Sequence, residues 1–90
     1  MTFGETLKKL RTDRGLKIRD VSRLAGISIS YLSAIERGDR LPPRAATIRK
    51  IEVAMGIDDN SLLRLAGEEF LNLYFSDVLT EKYSTLAGAK

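Results

Sequence analysis

Six basic side chains, Lys17, Arg19, Arg23, Arg37, Arg40 and Arg44, bracket a short segment that opens on Ser28-Ile29-Ser30. Cations gathered around one helix N-terminus favour phosphate, because fixed positive charge and unpaired backbone N–H groups then act on the same anion. Taken singly, each of these side chains is equally well explained as part of a solvated face. Little else in the chain offers chemistry. There is no cysteine and no histidine, so disulfides, zinc and iron–sulfur sites, thiol nucleophiles and Ser-His-Asp triads are excluded. The paired acids Asp58-Asp59 and Glu68-Glu69 are adjacent in sequence. On a helix neighbours diverge by about 100°, so neither pair converges on a metal or a water. Both pairs are expected to be acids at helix N-termini. No glycine-rich phosphate loop is present. The expectation is a non-enzyme with no metal and no cofactor.

The basic cluster needs elements that hold it in place, and helix periodicity runs along almost the whole chain. Phe3, Leu7 and Leu10 form one stripe, which stops at Gly15. Ile18, Val21 and Leu24/Ala25 form the next and stop at Gly26. Ser28 is a good N-cap for a third helix, with Leu32 and Ile35 facing inward before Gly38. Pro42 and Pro43 then delay a fourth helix, whose stripe is Ile48, Ile51 and Met55, ending at Gly56. Asp58 or Asp59 caps a short fifth helix carrying Leu62, Leu63 and Leu65, with Gly67 beyond it. A sixth, amphipathic helix is predicted from Glu68 to Tyr83. At the centre, KIRDVSRLA and ISYLSAIER are joined through Gly26-Ile27-Ser28. Gly26 permits the left-handed turn, Ile27 pins the corner, and the small Ser22 allows two helices to cross closely. This is a helix-turn-helix pattern, whose second helix can enter a major groove; the same corner also occurs as plain architecture.

Ninety residues make one small domain with a short appendage. A content of 43% hydrophobic residues is enough for a core. Charge is divided along the chain. Residues 1–57 carry 12 Lys/Arg against 6 Asp/Glu, and residues 58–90 carry 3 against 6. The basic part points to a polyanion and the acidic part to a different task. No apolar run approaches the roughly 20 residues of a membrane span, so no membrane partner is expected. The start MTFGETLKK is not a signal peptide. A chain without cysteine fits a reducing, cytoplasmic location.

Three blocks in order, LKKLRTDRGL, YLSAIERG and AMGI followed by acids, sit within residues 3–67. This stretch resembles the Cro/C1-type (Xre-like) helix-turn-helix family of bacterial and phage repressors. The resemblance implies an all-α, five-helix, lambda-repressor-like DNA-binding domain over residues 1–67. Residues 68–90 are then a C-terminal helical segment for dimerisation. It also implies double-stranded DNA as partner and a homodimer as the acting form. Matched residue by residue, Ser28, Ile29, Ser30, Ser33 and Ala34 face the groove. Lys17, Arg19 and Arg23 touch the DNA backbone from helix 2. Arg37, Arg40 and Arg44 approach phosphates or the neighbouring minor groove. Arg11 and Glu36 match a structural ion pair.

Two positions depart from the family pattern. Ile18 stands where the family commonly has Gln, and the recognition face lacks the Arg, Asn and Gln that read bases bidentately. Ile29 and Ala34 offer only apolar contact, which suits a thymine methyl. Shape readout, thymine contacts, or a module that has traded DNA for protein all remain open. Phe70, Leu71, Tyr74, Phe75, Val78 and Leu79 form an apolar stripe wider than the domain can cover. It is expected to pack between two subunits, with folding back or binding another protein, as in an antitoxin, as the alternatives.

Overall fold

The computed structural model describes the backbone of residues 1–88 and the side chains of residues 1–76. Five helices follow one another: α1 Phe3–Asp13, α2 Ile18–Ala25, α3 Ile29–Arg37, α4 Ala45–Met55 and α5 Ser61–Gly88. Among the described residues there is no strand, and the expected all-α helix-turn-helix architecture is present. Local chemistry sets the helix starts. Thr2 Oγ1 accepts from the Glu5 N–H at 3.1 Å, and the Glu5 carboxylate accepts from the Thr2 N–H at 3.2 Å, closing a capping box. The Thr2 N–H, and after it the Thr2 hydroxyl, holds the Glu5 carboxyl below its ordinary pKa. The Asp20 carboxylate accepts from the Lys17 N–H at 2.9 Å, and Ser28 Oγ accepts from the Tyr31 N–H at 3.1 Å. At the α2–α3 corner Gly26 adopts φ +70°, and Ile27 N–H donates to the Ser22 carbonyl at 3.1 Å. The buried Ser22 hydroxyl donates to the Ile27 carbonyl, so this residue serves by polarity as well as by size.

Phe3, Leu7, Val21, Leu32, Ile35, Ile48, Ile51, Met55 and Leu62 close one core to which all five helices contribute. In α2 it is Ala25 that is buried, while Leu24 is exposed. Helices α1 and α3 touch backbone to backbone. A Cβ at Gly4 would lie 2.7 Å from the Glu36 carbonyl oxygen, and nearer still to that of Ile35. Gly4→Ala is therefore expected to force α1 off α3 and cost about 1–3 kcal/mol, read as a lowered urea midpoint with unchanged m-value.

The start of α5 has an anchor that the sequence reading did not anticipate. Glu52 is fully buried in α4, and its Oε2 accepts from the Leu62 and Leu63 N–H groups at 3.1 and 3.2 Å. Its Oε1 accepts from Arg49 Nη1 at 2.9 Å, and the same nitrogen donates to Asn60 Oδ1. A buried carboxylate at a helix N-terminus is favourable when its lone pairs are filled this way. Asn60 takes φ +60°, a left-handed conformation that asparagine tolerates. Asp59 accepts from the Ser61 N–H at 3.0 Å, and hydrogen bonding from the Ser61 hydroxyl first and this N–H second lowers its pKa.

The expected break at Gly67 does not occur, and among the described residues there is no separate sixth helix. α5 runs without interruption for 28 residues. Gly67 carries no positive φ; within a helix it costs only about 1 kcal/mol relative to Ala, which buried Leu62 and Ala66 on the preceding turns readily offset. Glu68 and Glu69 are consequently mid-helix residues, not N-terminal acids of their own helix. Glu69 instead serves another helix: its Oε1 accepts from the Phe3 N–H at 2.6 Å, at the start of α1. Beyond that tie α5 projects from the domain, giving a longest dimension of 57 Å against 26 and 21 Å across. Among the described residues no helix is long and apolar enough to cross a membrane.

Candidate nucleic-acid interface

Helix α3 lies at the surface with its N-terminal face open. Ser28, Ile29 and Ser30 are exposed, and Ser33, Ala34 and Tyr31 are half-buried. Leu32 and Ile35 hold the opposite face in the core. Ile29 is 49% exposed, so about half of a large apolar side chain faces outward. Ile18 packs against the core, so no polar group bridges from that position to α3.

Beside α3 a depression of about 520 Å³ is rimmed by Lys8, Lys17, Ser33 and Arg37. Arg37 is held in place. Its Nη1 donates to Ser33 Oγ at 2.7 Å and its Nε to Asp39 Oδ2 at 2.9 Å. Three cations and a hydroxyl around one hollow form a site suited to a phosphate oxygen. Lys8 was not among the sequence-based candidates. Its signal was available: it precedes Arg11 by three residues, and i, i+3 places both on one face of α1.

The floor of that depression includes Arg11 and Glu36. Arg11 Nε and Nη2 donate to Glu36 Oε2 and Oε1 at 2.7 and 2.9 Å, and Nη1 donates to the Leu16 carbonyl at 2.9 Å. The carboxylate raises the already high pKa of the guanidinium. With its charge satisfied inward, Glu36 presents little repulsion to an anion bound above it.

The remaining cations are dispersed. Arg40 stacks on Tyr31, its guanidinium carbon 5.6 Å from the ring centroid, which ties the loop after α3 back onto that helix. Arg44 is exposed at the N-cap of α4 with no side-chain capping bond, next to Leu41 and the Pro42-Pro43 turn. Arg19 is exposed on α2. Arg23 does not join Lys17 and Arg37; it lines the α2–α4 face with Leu24, Arg49, Lys50 and Val53. Of the apolar stripe on α5, Phe70, Leu71, Tyr74 and Phe75 are exposed, with Tyr74 stacked on Phe70 at 6.4 Å and edge-on to Phe75 at 5.7 Å. The side chains of Val78 and Leu79 lie outside the described residues.

Fold and surface together define a helix-turn-helix protein, and residues 2–65 match the family model for the helix-turn-helix domain; the chain belongs to that family. It is 38% identical over 66 residues to the HTH-type transcriptional repressor RghR of Bacillus subtilis, covering 73% of this chain and 49% of that protein. It is 40% identical over 70 residues to the HTH-type transcriptional regulator DdrOP3 of Deinococcus deserti, covering 78% and 52%. Identity is 37% over 71 residues to the immunity repressor protein of Bacillus phage phi105, covering 79% and 46%. The chain thus spans about half the length of these curated relatives.

Proposed function

We propose that this protein is a non-catalytic, DNA-binding transcriptional regulator that acts as a homodimeric repressor. Residues 1–67 would be its DNA-binding unit and residues 68–90 its dimerisation segment. The observation that carries the reading is the open N-terminal face of α3, together with Lys8, Lys17 and Arg37 gathered around one depression beside the C-terminal half of the same helix. The three relatives' names, two repressors and a regulator, support it. In this reading α3 lies in the major groove, the depression and Arg40 and Arg44 meet phosphates, and the Arg11–Glu36 pair is structural. The exposed α5 face supports a two-fold pair, which would set two recognition helices about one DNA turn, roughly 34 Å, apart. Duplex binding followed by fluorescence anisotropy across a salt series tests it: the logarithm of the affinity must fall linearly with log salt. Affinity indifferent to salt would reject a phosphate-binding surface.

Specificity follows from what α3 displays. With Ile29 and Ala34 as its apolar contacts, the preferred half-site is expected to contain A·T pairs whose thymine methyls meet those side chains. Replacing such a thymine by uracil should weaken binding by about 1 kcal/mol, the value of one buried methyl group. Selection of duplexes from a random pool identifies the site, and a selected core read only through G·C pairs would contradict the assignment.

A further inference from the structure

We infer that the α2–α4 face is a docking surface for an acidic amphipathic helix of a partner protein, separate from the surface proposed to meet DNA. Helices α2 and α4 pack against each other. Between them lies a shallow hollow of about 490 Å³, lined by Arg23, Leu24, Arg49, Lys50 and Val53. It shares no residue with the depression beside α3. Leu24 and Val53, one from each helix, are 58% and 69% exposed. The core does not use either of them: it takes Ala25 beside Leu24, and Ile51 and Met55 on either side of Val53. Single apolar side chains at a surface are ordinary, but two lining one hollow among three cations mark a surface with a use.

The occupant follows from charge that the domain does not balance. Residues 1–57 hold six acids. Glu5, Asp13, Asp20, Glu36 and Asp39 accept from donors outside this hollow. Glu52 is fully buried, and from Arg49 it takes only Nη1. Among the described residues Arg23 and Lys50 make no ion pair, and Nε and Nη2 of Arg49 make no hydrogen bond. Uncommitted cations thus stand beside two open apolar side chains. A helix with Asp or Glu flanking apolar residues at i, i+3 or i+4 complements both features at once. A DNA backbone complements only one, since its phosphates pair the cations and offer Leu24 and Val53 nothing apolar. The hollow takes no residue from α3, so partner and duplex do not compete for the same side chains. The protein can then hold its partner while bound to DNA.

The test is fluorescence anisotropy of the full chain with a labelled peptide of repeating Glu-Glu-Leu-Leu, with its Ser-for-Leu counterpart, and with a random-sequence duplex. Two variants are compared with wild type, Leu24→Ser/Val53→Ser and Arg23→Ala/Lys50→Ala. All four sites are exposed, and circular dichroism checks that each variant keeps its helices. The expected dissociation constant of the Glu-Leu peptide is on the order of 100 μM, rising at least about tenfold in each variant. The Ser-for-Leu peptide should bind wild type at least about tenfold more weakly, and Leu24→Ser/Val53→Ser should leave duplex affinity unchanged. Peptide affinity equal in wild type and both variants, or no binding at about 1 mM, would overturn the docking surface. Equal binding of the two peptides would overturn it as well, by reducing it to unselective charge attraction. If Arg23→Ala/Lys50→Ala weakens the duplex and spares the peptide, the face belongs to flanking DNA and the partner helix is rejected.

Discussion

Arg11→Ala is expected to lower stability by about 3–5 kcal/mol, because it leaves the buried Glu36 carboxylate without its guanidinium. The three hydrogen bonds of Arg11 reach two elements, the end of α3 through Glu36 and the α1–α2 turn through the Leu16 carbonyl. Its loss therefore removes a tie as well as a charge. A domain of this size has about 5–13 kcal/mol in total, so the variant should unfold at a much lower urea concentration. Arg11→Lys should recover only part of the loss, since an ammonium cannot reproduce the planar two-nitrogen grip. The double variant Arg11→Met/Glu36→Leu should come close to wild type, because a buried ion pair exchanged for apolar groups of similar volume is often neutral. Equal midpoints for Arg11→Ala and wild type would show that the pair contributes nothing.

The triple variant Arg37→Ala/Arg40→Ala/Arg44→Ala is expected to weaken duplex binding about a hundredfold at 0.15 M salt, equally for every sequence. Each phosphate contact contributes about 0.9 to the slope of log affinity against log salt, so three lost contacts lower it by about 2.7. Between 0.15 M and roughly 1 M, where counterion release ceases to contribute, that slope corresponds to about two orders of magnitude. The single variants differ in a way the structure makes plain. Arg37 is pre-set by Ser33 and Asp39, and Arg40 by the Tyr31 ring, whereas Arg44 has no such support. Arg37→Ala and Arg40→Ala should therefore cost more than Arg44→Ala, since a side chain already held loses less entropy on binding. Binding unchanged in the triple variant would remove this surface from the DNA contact.

Much of this was legible without coordinates because it depends on residues close in sequence. Ser28 before ISYLSAIER announces a helix start, and Gly26 two residues earlier announces the corner, since both act through their own backbone neighbours. Sequence alone did not register Gly4, whose role is set by the Ile35 and Glu36 carbonyls more than thirty residues away. Lys8 lies on α1, outside the α2–α3 pair, so no local pattern links it to Arg37, and only the packing of α1 on α3 brings the two together. Arg23 lies on α2, which begins just after Lys17, yet faces α4, and only the rotation of that helix in the packed domain sorts the two.

The sequence by itself determined the helix count of the core domain, the α2–α3 turn and the inward stripes, because caps, periodicity and left-handed glycines are local instructions whose energies do not wait for a partner. Tertiary structure decided what followed Ala66. Read locally, Gly67 and the two acids after it spell a helix end and a new start. In the folded protein Glu52 anchors the first turn of α5, Leu62 and Ala66 bury its next turns, and Glu69 ties it to α1. Those contacts come from residues up to 66 positions away, and they outweigh a glycine penalty of about 1 kcal/mol. A weak local signal to stop yields to several long-range contacts that each reward continuing.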